Sequence, residues 1–379
     1  MPASTPRTRL IFQNVNAFVG PAAGSGTTAT GAHYTGGNVP IGNLVAELAN
    51  VTSATLNVGI NRQDINIFGV LQRQDNIIIA PPSITMDLSW NVTDGYNESM
   101  IGFHALGAGS MISGILTKVS DSKNYFLSIS QQGVDDDGVA NPNQRDVLAV
   151  GNGFISNYTF NAAVGQVSTA SVSIDAMNVV GYTGASGNAI PAINPNDSSR
   201  ITTWNFQLPT ARVITGGNNV FALRPGDITL GFPTNAGFLA PLSGQNAINI
   251  QSVSLSVPIS RVTLDRLNSA FGFSREIQFP VNCSMAIRAL ATEINPTSFD
   301  SLYCNDQAYD LRLTQRQPSC NGTGLNAIII DFNEAKVASW SEGITIGGEA
   351  SIDLSLTAQI AGAGQSDGIN FSGYGAVRL

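Results

Sequence analysis

The chain has 379 residues and a formal net charge of −8, yet only 12% of its residues are charged while 43% are hydrophobic. Soluble domains carry roughly 25% charged residues, so Asn, Ser, Thr, Gln and Gly have taken the place of Lys, Arg, Asp and Glu. An acidic chain rich in Val, Ile and Thr excludes a basic nucleic-acid binder and a disordered tail, and the lack of Ala/Leu/Glu/Lys periodicity excludes a helical bundle.

In chain order, the N-terminus carries Arg7 and Arg9, but Ile11 and Phe12 run directly into Gln13 and Asn14. That apolar stretch is too short for a signal peptide, and no run reaches the ~18 residues of a spanning helix. The expectation is synthesis in a cytoplasm with no membrane insertion; the scattered Asn-x-Ser/Thr triplets at Asn50, Asn91, Asn157 and Asn321 then carry no meaning. Residues 22–37 are Gly/Thr/Ala-rich and predict a long loop. Thr55–Ile60 and Ser83–Trp90 alternate apolar and polar residues with period two, the pattern of half-buried antiparallel strands. Between them Ile65, Phe68 and Leu71 stand at helical spacing and predict a short helix or helical turn over 64–71. A second helical turn is expected over 97–106. Residues 131–143 predict another loop, whose Asp135-Asp136-Asp137-Gly138 lacks the later Glu of a calcium loop and is expected as an acidic tip in solvent. Residues 183–199, rich in Gly, Ala, Asn, Pro and Ser, predict a linker. Beyond it, Ser252–Ile259 and 350–358 alternate again. Leu264, Leu267 and Phe271 repeat the helical spacing over 262–271, a helical turn is expected over 298–304, and 315–325 predicts a third loop.

The order of these elements is itself repeated. Laid over one another at constant offset, Ser53, Leu56, Val58, Ile60, Arg62, Ile78, Pro81 and Met86 meet Ser252, Leu255, Val257, Ile259, Arg261, Ile277, Pro280 and Met285. With small gaps, the block at Tyr125 resembles that at Tyr309, Val147 that at Ala327, Tyr158 falls near Trp340, and Ala170 near Ala350. Upstream, Ala17 sits at roughly the place of Ile228. An internal duplication is the reading, with a first β domain and N-terminal arm over 1–185, a linker over 186–199, and a second β domain over 200–379.

The search for chemistry is mostly negative. His33 lies in a glycine-rich loop and His104 in an apolar segment, neither near a nucleophile motif. Cys283, Cys304 and Cys320 form no CxxC or Cys/His cluster; a Cys304–Cys320 bridge stays open, and no zinc, other metal or cofactor is expected. No catalytic residue is assigned. What stands out is a pair of arginines, Arg62 and Arg261, each leaving an alternating strand at the same point of the repeat. Asp265, Arg266, Arg275 and Glu276 follow the second. In a chain this poor in charge, these six residues are the candidate inter-subunit contacts, since an arginine fork orients a partner through paired hydrogen bonds.

The runs from Gln251 to Val281 and from Ala54 to Gly69 resemble the strand–turn–strand core of tailed-bacteriophage tail tube (major tail) proteins, and 327–360 resembles that family's closing strands. The resemblance implies a mainly β fold of two tandem tail-tube-like antiparallel β-sandwich or barrel domains with short helices and long loops. It implies a non-enzymatic virion protein that self-assembles into rings stacked as a hollow tube. DNA passes through the lumen without specific binding, and sheath, baseplate and tail terminator proteins are further partners. With two domains per chain, the expected ring is a trimer of pseudo-sixfold shape, with a hexamer as the alternative. Rival readings are a baseplate hub or tail-completion protein, a secreted or outer-membrane β-barrel, and a polysaccharide hydrolase on a β scaffold.

Overall fold

The computed structural model describes residues 15–21, 45–107, 109–116, 121–130, 136, 145–194, 197–202, 205–209, 222–223, 228–231, 250–267, 269, 271–272, 274–290, 308–317, 326–343 and 351–373. The loop at 22–37, the helical turn at 298–304, His33, Cys304 and Cys320 lie outside them.

The first half of the chain supplies β1 (Val15–Pro21), β2 (Ala46–Glu47), β3 (Val51–Gly59), β4 (Arg62–Ile65), β5 (Asp75–Ile78) and β6 (Ser83–Asn91). Helices α1 (Tyr96–Ile101) and α2 (Ser113–Leu116) follow, then β7 (Ser122–Ser130), β8 (Arg145–Ala163), β9 (Thr169–Ala176) and β10 (Asn178–Thr183). A short hairpin of β11 (Ser186–Ala189) and β12 (Asn205–Gln207) leads to the second half. That half contains β13 (Ile228–Gly231), β14 (Ile250–Pro258), β15 (Arg261–Leu264), β16 (Ser274–Ile277) and β17 (Asn282–Leu290). It ends with β18 (Tyr309–Arg316), β19 (Asn326–Gly343), β20 (Ser351–Gln359) and β21 (Gly368–Gly373).

The strand pairing is duplicated. In the first half β3 pairs β6, β6 pairs β9, β9 pairs β8, and β8 also pairs β7 and β10, with β1 beyond β7. In the second, β14 pairs β17, β17 pairs β20, β20 pairs β19, and β19 also pairs β18 and β21, with β13 beyond β18. Irregularities of register repeat too. The shift between Val51 and Ser53 recurs between Ile250 and Ser252, and that between Lys123 and Tyr125 recurs between Tyr309 and Leu311. A third, between Ile155 and Asn157, recurs between Val337 and Ser339. Even the backbone sign is kept: Asn152 and Glu334, facing each other across the repeat, have φ of 50° and 54°, a region that non-glycine residues enter rarely. Bulges bend a strand at a chosen point, and three placed alike in both halves are a far more specific signature than shared alternation.

Pairing also corrects the alignment downstream of 90. Opposite Val172 stands Tyr158, and opposite Leu354 stands Trp340, so Ala170 corresponds to Ile352 rather than Ala350. By the same registers Tyr125 corresponds to Leu311 and Val147 to Ile329. Each differs from the sequence alignment by two residues, which leaves every side chain on its own face.

The mainly β expectation holds, but among the described residues no barrel closes within the chain; the halves share one large antiparallel sheet. One further expectation changes. The described residues of 64–71 and 262–271 form no helix: Arg62–Ile65 pairs Asp75–Ile78, and Arg261–Leu264 pairs Ser274–Ile277, as two hairpins. The helical spacing there is incidental, since β-branched Ile65, Ile67, Val70, Val262 and Thr263 favour extended backbone, and Gly69 turns the first tip at φ 83°. The segment between the halves packs against the first half. Ile190, Ala192, Phe206 and Leu208 are buried against Phe18, Phe126, Val147 and Ala149. The approach is so close that a Cβ on Gly151 would lie 2.3 Å from the Pro191 carbonyl oxygen.

One core runs through both halves, from Met86, Leu88, Tyr158 and Ile174 to Leu255, Met285, Leu311 and Leu356. The helical turn expected over 97–106 is realised as α1 at 96–101, held by its polar residues. Asn97 accepts from the Ala49 amide at 2.8 Å and donates to its carbonyl at 2.7 Å. Glu98 is buried and accepts from Trp90 Nε1 at 3.2 Å and the Tyr158 hydroxyl at 3.1 Å. Burial pushes its carboxyl up to about 7, against the lowering effect of those hydrogen bonds. The acidic tip at 135–138 is corrected at Asp136. This residue is buried, accepts from Ser128 Oγ at 2.8 Å and from Ser130, and lies 3.4 Å from Arg145 Nε. Arg145 also donates to the Asp136 carbonyl and to the Pro209 carbonyl, the latter at 3.1 Å. Residues 315 and 316, expected in a loop, end β18, with Gln315 buried and donating to Ser168 Oγ at 2.8 Å.

Candidate functional site: the joint between repeats and the polar face

The two halves meet strand to strand. β14 lies against the C-terminal part of β8, with Ser252 opposite Ala163, Val257 opposite Tyr158 and Pro258 opposite Asn157. On its other edge that part of β8 pairs β9. The result is a continuous antiparallel run β3–β6–β9–β8–β14–β17–β20–β19.

Side chains lock the joint. β14 continues past Pro258 to Ile259, whose amide donates to the Ser156 carbonyl at 2.8 Å. The hairpin of β15 and β16 then folds onto the first half through two arginines. Arg261, its side chain 2% exposed, lies 2.8 Å from Asp121. It donates from Nε to the Ile155 carbonyl at 2.9 Å and from Nη1 to the Arg275 carbonyl at 3.1 Å. Arg275 donates to the Ala176 carbonyl at 3.1 Å. Both guanidinium groups lie over the Phe154 ring, at 5.2 and 5.7 Å from its centroid. Burial lowers the Arg275 pKa, with Asp175 and Asp265 opposing the effect.

The six candidate residues are thus divided. Arg261 and Arg275 make their contacts inside the chain, between repeats. The pairing of β14 with β8 carries their hairpin onto the first half. Glu276 accepts from Ser274 Oγ at 2.7 Å within the hairpin. Asp265 and Arg266 are exposed near its turn, and Arg266 helps hold the Asp197 carboxyl low, after the dominant hydrogen bonds from Ser199. Arg62 is exposed and donates at 3.4 Å to the carbonyl and side-chain oxygens of Asn76. Sequence reasoning missed Asp121, Phe154 and the acceptor carbonyls, which belong to strands distant in sequence.

The continuous run has one apolar and one polar face. Its core side carries Ile84, Met86, Leu88, Val172, Ile174, Val253 and Leu255, all buried. The opposite side carries Ser, Thr, Asn and a few acids. Hydroxyls link across strands: Ser53 with Ser89 at 2.6 Å, Thr159 with Ser171 at 2.6 Å, and Ser173 donating to Asp87 at 2.7 Å. Asp353 lies 3.8 Å from Arg288 in a solvent-exposed pair. With Asp87, Asp175 and Asp353 set against Arg288 and Lys336, this face is nearly neutral rather than strongly acidic.

Among the described residues no group of three His, Cys, Asp or Glu could hold a metal ion, and no helix is long and apolar enough to cross a membrane. Cys283 is buried, donates to the Ala358 carbonyl at 3.0 Å, and has its thiol pushed up to about 12 by burial.

No protein-family model and no curated protein matches the chain. Among solved structures, it is similar to a chain of the anti-feeding prophage baseplate, determined by cryo-electron microscopy and symmetrised sixfold. The two are 14% identical with a TM-score of 0.24, over 34% of this chain and 81% of that one. This is a weak likeness to a component of a phage-like particle, too slight to define a shared fold.

Proposed function

We propose that the chain is a virion structural protein whose copies join edge to edge into rings, stacked as the hollow tail tube through which phage DNA passes. The observation that carries this reading is the joint between β8 and β14. The described residues contain one such joint, and the two strands that correspond to its members, β3 and the C-terminal part of β19, stand at opposite ends of the same run of strands. Among the described residues β3 pairs β6 alone, and 336–343 pairs β20 alone. Edge strands are an aggregation hazard unless they are partnered or blunted. Using the same joint between copies would remove both edges, and a heterologous contact that closes builds a ring.

The polar face supports the conduit role. Each phosphate neutralised by Lys or Arg adds salt-dependent affinity for nucleic acid. A wall of small hydroxyls with few cations offers DNA almost no such contact, so the duplex passes without being held. Three chains would supply six repeats per ring. Electron micrographs of the assembled protein, with the mass of the smallest closed species, test this: the expected result is a stacked tube with three chains per ring. Twelve repeats per ring would overturn the trimer, one isolated ring per particle would favour a baseplate hub, and a protein that never assembles would overturn the reading.

A further inference from the structure

The ring reading leaves open which surface of one copy receives the next, and the repeat answers it at residue level. The hairpin of β4 and β5 is the counterpart of that of β15 and β16, yet its apolar residues lie in solvent. Ile60 is 53% exposed where its counterpart Ile259 is 0%, and Val58 is 49% exposed where Val257 is 0%. Ile78 is exposed beside them where its counterpart Ile277 is half-buried, and Ile65, Ile67, Phe68 and Leu71 are exposed toward the tip, as Leu264 and Leu267 are in the second hairpin. A two-stranded hairpin is marginally stable alone in water, and an apolar patch of this extent marks an interaction surface.

The counterpart of the surface that receives β15 and β16 lies at the far end of the chain. Arg261 and Arg275 bind beside Phe154, Ile155 and Ala176. By strand register these correspond to Lys336, Val337 and Ala358. A cavity of about 790 Å³ opens there, lined by Asn282, Glu334, Lys336, Thr357, Ala358 and Asp367 among others. In the first half the equivalent place is filled by the second hairpin's arginines; in the second half it is open. We infer that this cavity is the docking site for the β4–β5 hairpin of a second copy of this chain.

The occupant follows from the internal joint, because a second copy is the molecule that presents a hairpin of this topology with the same flanking strand. The docked arrangement places Gly59 of β3 opposite Ser339 and Thr55 opposite Gly343, as Pro258 and Ser254 stand opposite Asn157 and Asn161 within the chain. Ile60 then enters the position of Ile259, Arg62 reaches the Val337 carbonyl as Arg261 reaches that of Ile155, and Asn76 approaches Ala358 as Arg275 approaches Ala176. Glu334 and Asp367 supply the carboxylates that Asp121 supplies to Arg261. The cavity has Lys336 where Phe154 stacks on two guanidinium groups, and the hairpin has Asn76 where the other carries Arg275. The exchange is paired: loss of the aromatic platform accompanies loss of one of the cations it held.

This inference rests on the ring reading, and its test separates the two. A photo-crosslinking amino acid replacing the exposed Ile78 in the full chain, mixed with isotope-labelled chains and irradiated, gives crosslinked peptides identifiable by mass spectrometry. The expected crosslinks join the labelled chain at residues 334–336 or 357–361 to the unlabelled one, in assembled material only. Rings that form normally while Ile78 crosslinks elsewhere overturn the docking site and leave the ring reading standing. Folded chains that stay monomeric at every concentration contradict both. As a second arm, Ile60→Ser is expected to leave the melting temperature of the isolated subunit unchanged and raise the concentration needed for assembly at least tenfold. Unchanged assembly overturns the docking site.

Discussion

Two hairpins of one chain, built on the same repeat, live in different surroundings. The second, β15 and β16, follows a strand already paired to the first half, so Ile259 is covered and Arg261 finds Asp121 and the Ile155 carbonyl. The first, β4 and β5, follows a strand at the end of the sheet, and its Ile60 and Arg62 face water. At these two positions the residues are the same; what differs is whether another half-molecule lies next to them. Identical side chains therefore have different surroundings: one holds the two halves of the chain together, and the other is the one proposed to join copies.

Substitutions at paired positions turn that difference into numbers. Arg261→Ala removes one member of a largely desolvated ion pair together with two backbone hydrogen bonds, and it is expected to cost about 3–5 kcal/mol of subunit stability. Arg62→Ala, in water, is expected to cost no more than about 0.5 kcal/mol. Equal losses in chemical denaturation of the two variants would break the comparison. Ile259→Ala should cost about 2–5 kcal/mol through transfer and cavity effects, whereas Ile60→Ala stays within about 0.5 kcal/mol until the protein assembles. Calorimetry on dilute subunits checks both members of the pair.

Smaller than the losses at Arg261 and Ile259 is a pH dependence that has no counterpart among the described residues of the second half. Glu98 is held up to about 7 by burial, above the usual carboxylate value near 4.3. The folded state therefore binds the proton more tightly than the unfolded one. The associated stability is fully present below about pH 4, declines as pH rises, and is gone above about pH 7. Glu98→Gln keeps an acceptor for Trp90 and Tyr158 and should be more stable than the parent at pH 8 by roughly 2 kcal/mol. A Glu98→Gln profile with the same pH slope as the parent would contradict this.

Much of the fold was legible because alternation and duplication are local properties. Period two in Ser83–Trp90 and Ser252–Ile259 located strands and their buried faces, and the constant offset that sets Ser53 on Ser252 and Met86 on Met285 located the repeat. Gapped segments were legible only to within two residues, since sliding Ala170 from Ile352 to Ala350 preserves the alternation. The hairpins were hidden because Ile65, Phe68 and Leu71 satisfy a helical spacing that cross-strand pairing overrides. Asp136 looked solvated because its partners, Ser128, Ser130 and Arg145, come together only when β7 pairs β8. The site was half legible: Arg62 and Arg261 stood out by position in a charge-poor chain, but whether each faces its own chain or another depends on which strand ends the sheet. The low charge itself acquires a place, in a sheet face of hydroxyls and amides that is close to neutral.

The central claim is that copies join as the halves of one copy already do. It predicts that Asn57 of one chain stands opposite Ser341 of the next, as Ser256 stands opposite Thr159 within the chain. Paired positions on adjacent antiparallel strands lie within disulfide reach. Oxidised rings of the double variant Asn57→Cys with Ser341→Cys, run on a denaturing non-reducing gel, give the most direct reading. The account predicts a covalent ladder that ends at a closed trimer and is absent from either single variant. Assembled rings that run as unlinked chains would contradict it.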